Sequence, residues 1–305
     1  MGVDAAPDKK LMKPYVSVII PCFFSSQTLP RMLESLKRQT FQNFETIVVN
    51  SSQESDTAKL LKDKYPWVRF HQHPHRLLMH AARNQGVGIA EGELFLFTDP
   101  DLEVSPHWVE RMIQAHQAGH RVLVGEMDCS QKSWIALGVH LTKYHFLLPG
   151  VKRKRFRIAS SASAGYDRRF FREIGDFPGG LVCGDAVQSW KAIRSGELIY
   201  CVRAVPVRHY HDHTVFHLAS ERRQRSREFM RERIKVEDWP RRRIWANILL
   251  FPILPVYILL LAARDAVGSR WSFRYVWTLP VQVVGQVCWC FGELEAQIES
   301  VKGKK

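Results

Sequence analysis

Between residues 15 and 125, short apolar runs alternate with segments whose apolar residues recur at three- and four-residue spacing. That alternation confines the chain to one class of architecture, a parallel sheet whose strands are joined by crossover helices. The runs cover residues 16–20, 46–49, 68–70 and 94–97, and helical segments begin near Leu29, Thr57 and Met79. Thr28 and Ser55 stand where two of these helices start and are expected to cap them. The last run stops at Thr98-Asp99-Pro100-Asp101, because proline has no N–H to continue a strand ladder. Ligands of open α/β sheets bind beyond the carboxyl ends of the strands, so residues 21–23, 50–52 and 99–101 are expected to converge on one crevice.

Past residue 125 the pattern loses its period. Residues 126–213 include a basic stretch at 152–157 and a glycine-rich one at 179–184, which suit substrate-facing loops. Residues 221–243 are crowded with arginine, and two uncharged apolar segments follow, one from Ile244 to Ala263 and one from Tyr275 to Gly292. Twenty uncharged residues match the bilayer core in length, although Pro252 and Pro255 interrupt the first segment. Five of the nine tryptophans lie from Trp239 onward, as in an interfacial belt. Basic residues flank the first segment on both sides, which favours shallow or re-entrant insertion over a simple hairpin. Buried helices capping a globular domain are the other reading of the same segments.

The net charge of +14 calls for an anionic partner, but no nucleic-acid recognition motif accompanies it, so no nucleic-acid partner is expected. Six cysteines without a CxxC pair read as reduced thiols. The N-terminal residues lack the apolar run of a signal peptide, so a cytoplasmic catalytic domain associated with a membrane is expected.

Asp99 and Asp101 place two carboxylates one residue apart at a strand end, where their oxygens can hold a hard divalent cation beside a diphosphate. In isolation the same tripeptide also fits an ordinary turn. The alternating histidines of residues 208–213 do not have a recognised closed zinc spacing.

Several segments in order resolve the choice. Residues 18–23 (Val-Ile-Ile-Pro-Cys-Phe), Gln39-Thr40-Phe41 with residues 44–50, Ala82-Arg83-Asn84-Gln85-Gly86 and the run into Asp99-Pro100-Asp101 together resemble the nucleotide-binding half of family 2 glycosyltransferases. Gly165-Tyr166, residues 171–177 and Gly184-Asp185 with Ser189-Trp190 resemble that family's acceptor-side segments. The resemblance covers roughly residues 15–215. It implies a GT-A type, Rossmann-like, mostly parallel sheet with flanking helices, to which the C-terminal hydrophobic helices are added. It further implies a donor site at Pro21, Cys22, Phe23, Asn50, Ser52, Arg83, Asn84 and Asp99, and Mn²⁺ or Mg²⁺ held by Asp99, Asp101 and His209 (or His211). Asp185 is implied as the general base of an inverting transfer.

The donor so implied is a nucleotide sugar, a UDP-sugar favoured and a GDP-sugar also allowed, and the acceptor is lipid-linked or otherwise held at a membrane. Gln224-Arg225 is not followed by the Arg-Trp pair of processive synthases, which favours transfer of a single sugar. Two positions depart from the family pattern: Asn50 stands for an aspartate and Gly184 for an acidic residue. They motivate an alternative, a catalytically degenerate relative that binds nucleotide or lipid. The expected organisation is a tail (1–14), a catalytic domain (15–215, with a nucleotide-binding half to 125 and an acceptor half from 126), a basic linker or helix (216–243), membrane-associated helices (244–292) and a tail (293–305).

Overall fold

The computed structural model describes residues 13–151, 155–211 and 214–303. The expected N-terminal tail thus lies almost wholly outside the described residues, as do residues 152–154 of the basic stretch, Asp212 and His213 of the histidine cluster, and the last two residues.

Eight strands form one sheet: β1 (Val16–Cys22), β2 (Phe44–Asn50), β3 (Arg69–Gln72), β4 (Leu94–Thr98), β5 (Leu102–Glu103), β6 (Val122–Cys129), β7 (Ser163–Asp167) and β8 (Ile199–His209). Their order across the sheet is β3-β2-β1-β4-β7-β6-β8-β5. The first four pair in parallel, as the apolar runs imply, with β1 and β4 buried along their whole length. β7 enters antiparallel between β4 and β6, and β8 returns parallel to β6.

Helices cover both faces. Leu29–Lys37 buries Leu29, Met32, Leu33 and Leu36, the four positions at helical spacing. Met79–Ile89 lies on β1 and β2, and Gly86 lets its backbone approach Ile19, since a Cβ there would come 2.5 Å from that side chain. The capping expectation fails at both sites: neither Thr28 nor Ser55 accepts a cap hydrogen bond. Both residues have helical backbone angles, and the Thr28 hydroxyl instead donates to the carbonyl of Ser25.

The stretch without period is more regular than its sequence suggests. It holds the end of β6, helix Trp134–Tyr144, β7, helix Arg168–Ile174, helix Gly184–Arg194 and β8. Strand β7 leaves no apolar run because it opens with the small residues Ser163, Ala164 and Gly165, the last of them without room for a side chain. A Cβ at Gly165 would lie 2.9 Å from Leu96 on one side and 3.2 Å from Leu123 on the other.

Most of the arginine-rich run lies in one long helix, Val215–Val236, packed along the last helix, Leu279–Lys302, while Arg241, Arg242 and Arg243 open the next helix. Arg223 pairs with Glu295, and Arg227 and Arg231 both pair with Glu299. The contact is close because Gly292 carries no side chain; a Cβ there would strike the carbonyl of Arg223. The second apolar segment is split between helix Ser272–Trp277 and this last helix, and Tyr275 and Gly292 are buried within the protein. The first is split into helices Arg241–Leu249 and Leu254–Ala266, with Ile244 buried and Ala263 half-buried. Among the described residues no single helix is long and apolar enough to cross a membrane; those two pass only as a pair bent by 81°. The six cysteines are free thiols.

Candidate active site

The carboxyl ends of β1 and β4 open into a cavity of about 530 Å³. Pro21, Cys22, Phe23 and Ser51 line it together with Asp99, Asp101, Asp185 and His209. Pairing explains how the second group assembles. β5 starts directly after Asp101 and runs antiparallel to the end of β8, with Leu102 opposite His209. This brings His209 Nε2 within 3.8 Å of Asp101 Oδ2.

His211 follows two residues past the end of that strand. Its Nε2 is 3.1 Å from His140 Nδ1, and its ring stacks on His209 at 4.1 Å. With Cys129 it forms a buried group whose potential donor atoms lie within 4.8 Å of one another. His209 is therefore the histidine of this pair that faces the two aspartates.

Asp99 rests on Arg83, a fully buried guanidinium that forms an ion pair with its Oδ1. Burial nevertheless pushes the Asp99 carboxyl up to about 6, and the charges of Asp101 and Asp185 push the same way, against Arg83. Three carboxylates thus crowd one cavity, an arrangement that a divalent cation relieves. The donor set fits such an ion: hard carboxylate oxygens with one imidazole.

Asp185 sits in the first turn of helix Gly184–Arg194. The backbone N–H of Ala186 donates to its Oδ1 at 2.9 Å and that of Ser161 to its Oδ2 at 3.3 Å, which fixes the carboxylate toward the cavity wall. The helix is anchored from behind, where Trp190 meets Phe229 at 5.0 Å between ring centres.

Sequence reasoning missed His80. It lies fully buried beneath Asp185, with its Nε2 4.0 Å from Asp185 Oδ1. Arg83 can only donate, so the 3.2 Å contact makes His80 Nδ1 an acceptor and leaves Nε2–H to donate to the carbonyl of Val182. Burial and the neighbouring Arg83 lower its pKa to about 4, so the ring is neutral at physiological pH. His80 and Arg83 thereby link the two aspartates from below. No sequence signal marks this role, because the partners are about a hundred residues away.

The same ring accounts for Gly184. A Cβ there would lie 2.7 Å from His80 Cδ2, so the acidic residue of the family pattern has no room. Gly184→Ala is expected to lower stability by about 1–3 kcal/mol through this overlap, read as a lower urea midpoint with unchanged slope. An unaltered midpoint would contradict the packing argument.

The remaining residues expected at the donor site support it from outside the cavity lining. Asn50 is fully buried, its amide donating to Gln72 and accepting from the Ser52 hydroxyl. Ser52 is buried in the same turn. Asn84 exchanges two hydrogen bonds with the backbone of Phe177 and so ties helix Met79–Ile89 to the loop ahead of Asp185. Lys143, Tyr144, Arg76 and Arg225 also line the cavity and carry no readable motif.

The glycosyl transferase family 2 model matches residues 17–175. An undecaprenyl-phosphate 4-deoxy-4-formamido-L-arabinose transferase of Aeromonas hydrophila is 26% identical over 162 residues, covering 45% of this chain and 49% of its own. The uncharacterized glycosyltransferase YibD of Escherichia coli is 32% identical over 101 residues, covering 32% of this chain and 29% of its own. The chain thus spans half or less of the length of these two relatives. Among solved structures, the mannosyltransferase PcManGT from Pyrobaculum calidifontis, in complex with GDP-Man and Mn²⁺, superposes with a TM-score of 0.64. That likeness covers 100% of this chain and 92% of the other at 16% identity. It supports the GT-A fold.

Proposed function

The chain belongs to glycosyl transferase family 2, and on that premise we propose that it moves a single sugar from a nucleoside-diphosphate sugar to a hydroxyl of a lipid-linked or other membrane-held acceptor, with inversion. The observation that carries this reading is the convergence of Asp99, Asp101 and Asp185 on one cavity at the strand ends.

Pro21, Cys22, Phe23 and Ser51 would receive the nucleoside, and Arg76 lies over the Phe23 ring at 4.7 Å, close to where a diphosphate would need a cation. A UDP-sugar or a GDP-sugar fits this description, and the GDP-Man of the mannosyltransferase neighbour keeps the second donor in view. Asp99 and Asp101, with His209 beside them, would hold Mn²⁺ or Mg²⁺; when bound, the ion neutralises charge on the departing nucleoside diphosphate. Arg83 keeps Asp99 in place from beneath. Asp185, oriented by the Ala186 and Ser161 amides, takes the proton of the acceptor hydroxyl as that oxygen attacks the anomeric carbon opposite the leaving group.

The C-terminal helices supply the membrane side of the proposal. Leu249, Ile253, Leu260, Val267, Phe273 and Val276 are all exposed, Leu249 and Phe273 at 77% each. Exposed Arg241, Arg242 and Arg264 border them. Exposed apolar side chains in this number suit an interaction surface, and their basic neighbours suit anionic lipid at the cytoplasmic side. The function is tested by incubating the protein with labelled UDP- and GDP-sugars, Mn²⁺ and vesicles made from bacterial lipid extract. Label is expected in the lipid fraction and protein in the vesicle pellet; neither lipid label nor released nucleotide from any donor would overturn the reading.

A further inference from the structure

A second cavity, of about 270 Å³, adjoins the first, and Lys143, Tyr144, Asp185 and Arg225 line both. Its chemistry is divided. Lys143, Arg222 and Arg225 bring three cations to it, and Asp185 is the carboxylate on its lining. The rest of the wall is largely apolar, with Ile158, Phe229, Ile258 and Trp289.

Glu221 engages two of the three cations, pairing with Lys143 and, at 3.2 Å, with Arg225. Arg222 differs. It donates to Gln286 Oε1 at 3.2 Å and lies 3.9 Å from the Trp289 ring centre. Its Nε is buried without a hydrogen-bond partner, and it forms no ion pair with a carboxylate among the described residues. A half-buried guanidinium in this state retains donor capacity for an anion, and its planar fork suits phosphate.

The apolar wall says what the anion is attached to. Ile258 belongs to helix Leu254–Ala266, and Tyr257 and Leu260 of the same helix are exposed at 55% and 64% on the apolar outer face. One helix therefore borders both this cavity and the surface assigned above to the membrane.

We propose that this second cavity binds the phosphate group of a phosphorylated lipid, with Arg222 as its principal anchor and Lys143 and Arg225 beside it. The Phe229, Trp289 and Ile258 wall takes the first part of the lipid chain. The inference rests on the glycosyltransferase reading in that it supplies the acceptor: the lipid phosphate anchored here holds the hydroxyl of a sugar carried on that phosphate at Asp185.

The test is thermal stabilisation of the full chain in detergent by farnesyl phosphate, farnesol and inorganic phosphate at equal concentration. Farnesyl phosphate is expected to raise the melting temperature well above the effect of either other probe. Arg222→Gln is expected to weaken that response about tenfold or more, while stabilisation by nucleotide with Mn²⁺ is unchanged. Equal stabilisation by farnesol would mean an apolar groove, equal stabilisation by inorganic phosphate a simple anion site, and no response an empty claim; each overturns the proposal. Should Arg222→Gln fail to fold, the three-probe comparison on the unmodified chain decides alone. A nucleotide response without a farnesyl phosphate response rejects this inference only, whereas the reverse rejects the donor reading.

Discussion

Asp185→Asn is expected to lower kcat by about 10²–10⁴-fold, the usual contribution of a positioned general base, with the KM for nucleotide sugar close to unchanged. The asparagine can keep the hydrogen bond from Ala186 N–H through its amide oxygen, so the helix start is preserved. The weaker bond from Ser161 N–H is lost, because the amide nitrogen cannot accept it, and removing a negative charge from the first turn adds about 0.3–1 kcal/mol. Donor binding is assigned to Asp99, Asp101 and the residues at the end of β1 rather than to Asp185. The effect should therefore fall on turnover. Full transfer activity in this variant would remove Asp185 from the base role, and an equal loss of donor affinity would make it a binding residue.

The second large effect concerns stability. Arg83→Met is expected to cost about 3–5 kcal/mol, because removing one partner of a buried ion pair leaves the other uncompensated. Arg83 is fully buried, and its guanidinium serves Asp99 and His80 together. Methionine fills much of the volume and supplies neither contact. Without Arg83 the burial that already pushes Asp99 up to about 6 goes unopposed, and the carboxyl is protonated to a higher pH. Metal-dependent nucleotide binding should weaken with it. The check is a urea titration with and without Mn²⁺; a midpoint equal to that of the unmodified chain would contradict the account of how Asp99 is supported.

The parallel half of the sheet was legible because β1, β2 and β4 are buried on both faces, and such strands write themselves as unbroken apolar runs. Strand β7 left no such mark, since Gly165 is wedged between Leu96 and Leu123 and a bulky residue has no space there. Asp99, Asp101 and Asp185 were legible through their motifs, and they do line one cavity. His80 and the two cavity-facing arginines were not. His80 meets Asp185 only through the tertiary fold, and Arg222 and Arg225 differ from their neighbours only in which side of helix Val215–Val236 they occupy. Arg223, Arg227 and Arg231 turn instead toward Glu295 and Glu299, carboxylates that no local pattern connects to them. The C-terminal apolar segments show the complementary limit. Hydropathy marked their extent, yet packing decides that Ile244, Tyr275 and Gly292 point inward while Leu249, Leu260 and Phe273 remain outside.

The central claim is that the cavity at the strand ends is a nucleotide site completed by a divalent cation. Its most direct test is the melting temperature of the detergent-solubilised chain with UDP, GDP, dTDP and CMP, each with and without Mn²⁺, because a ligand that prefers the folded state stabilises it in proportion to the logarithm of its excess over Kd. The account predicts stabilisation by one of these nucleotides that requires the metal and is lost in Asp101→Asn. No response to any nucleotide, with or without Mn²⁺, would contradict it and leave a glycosyltransferase fold without a working donor site.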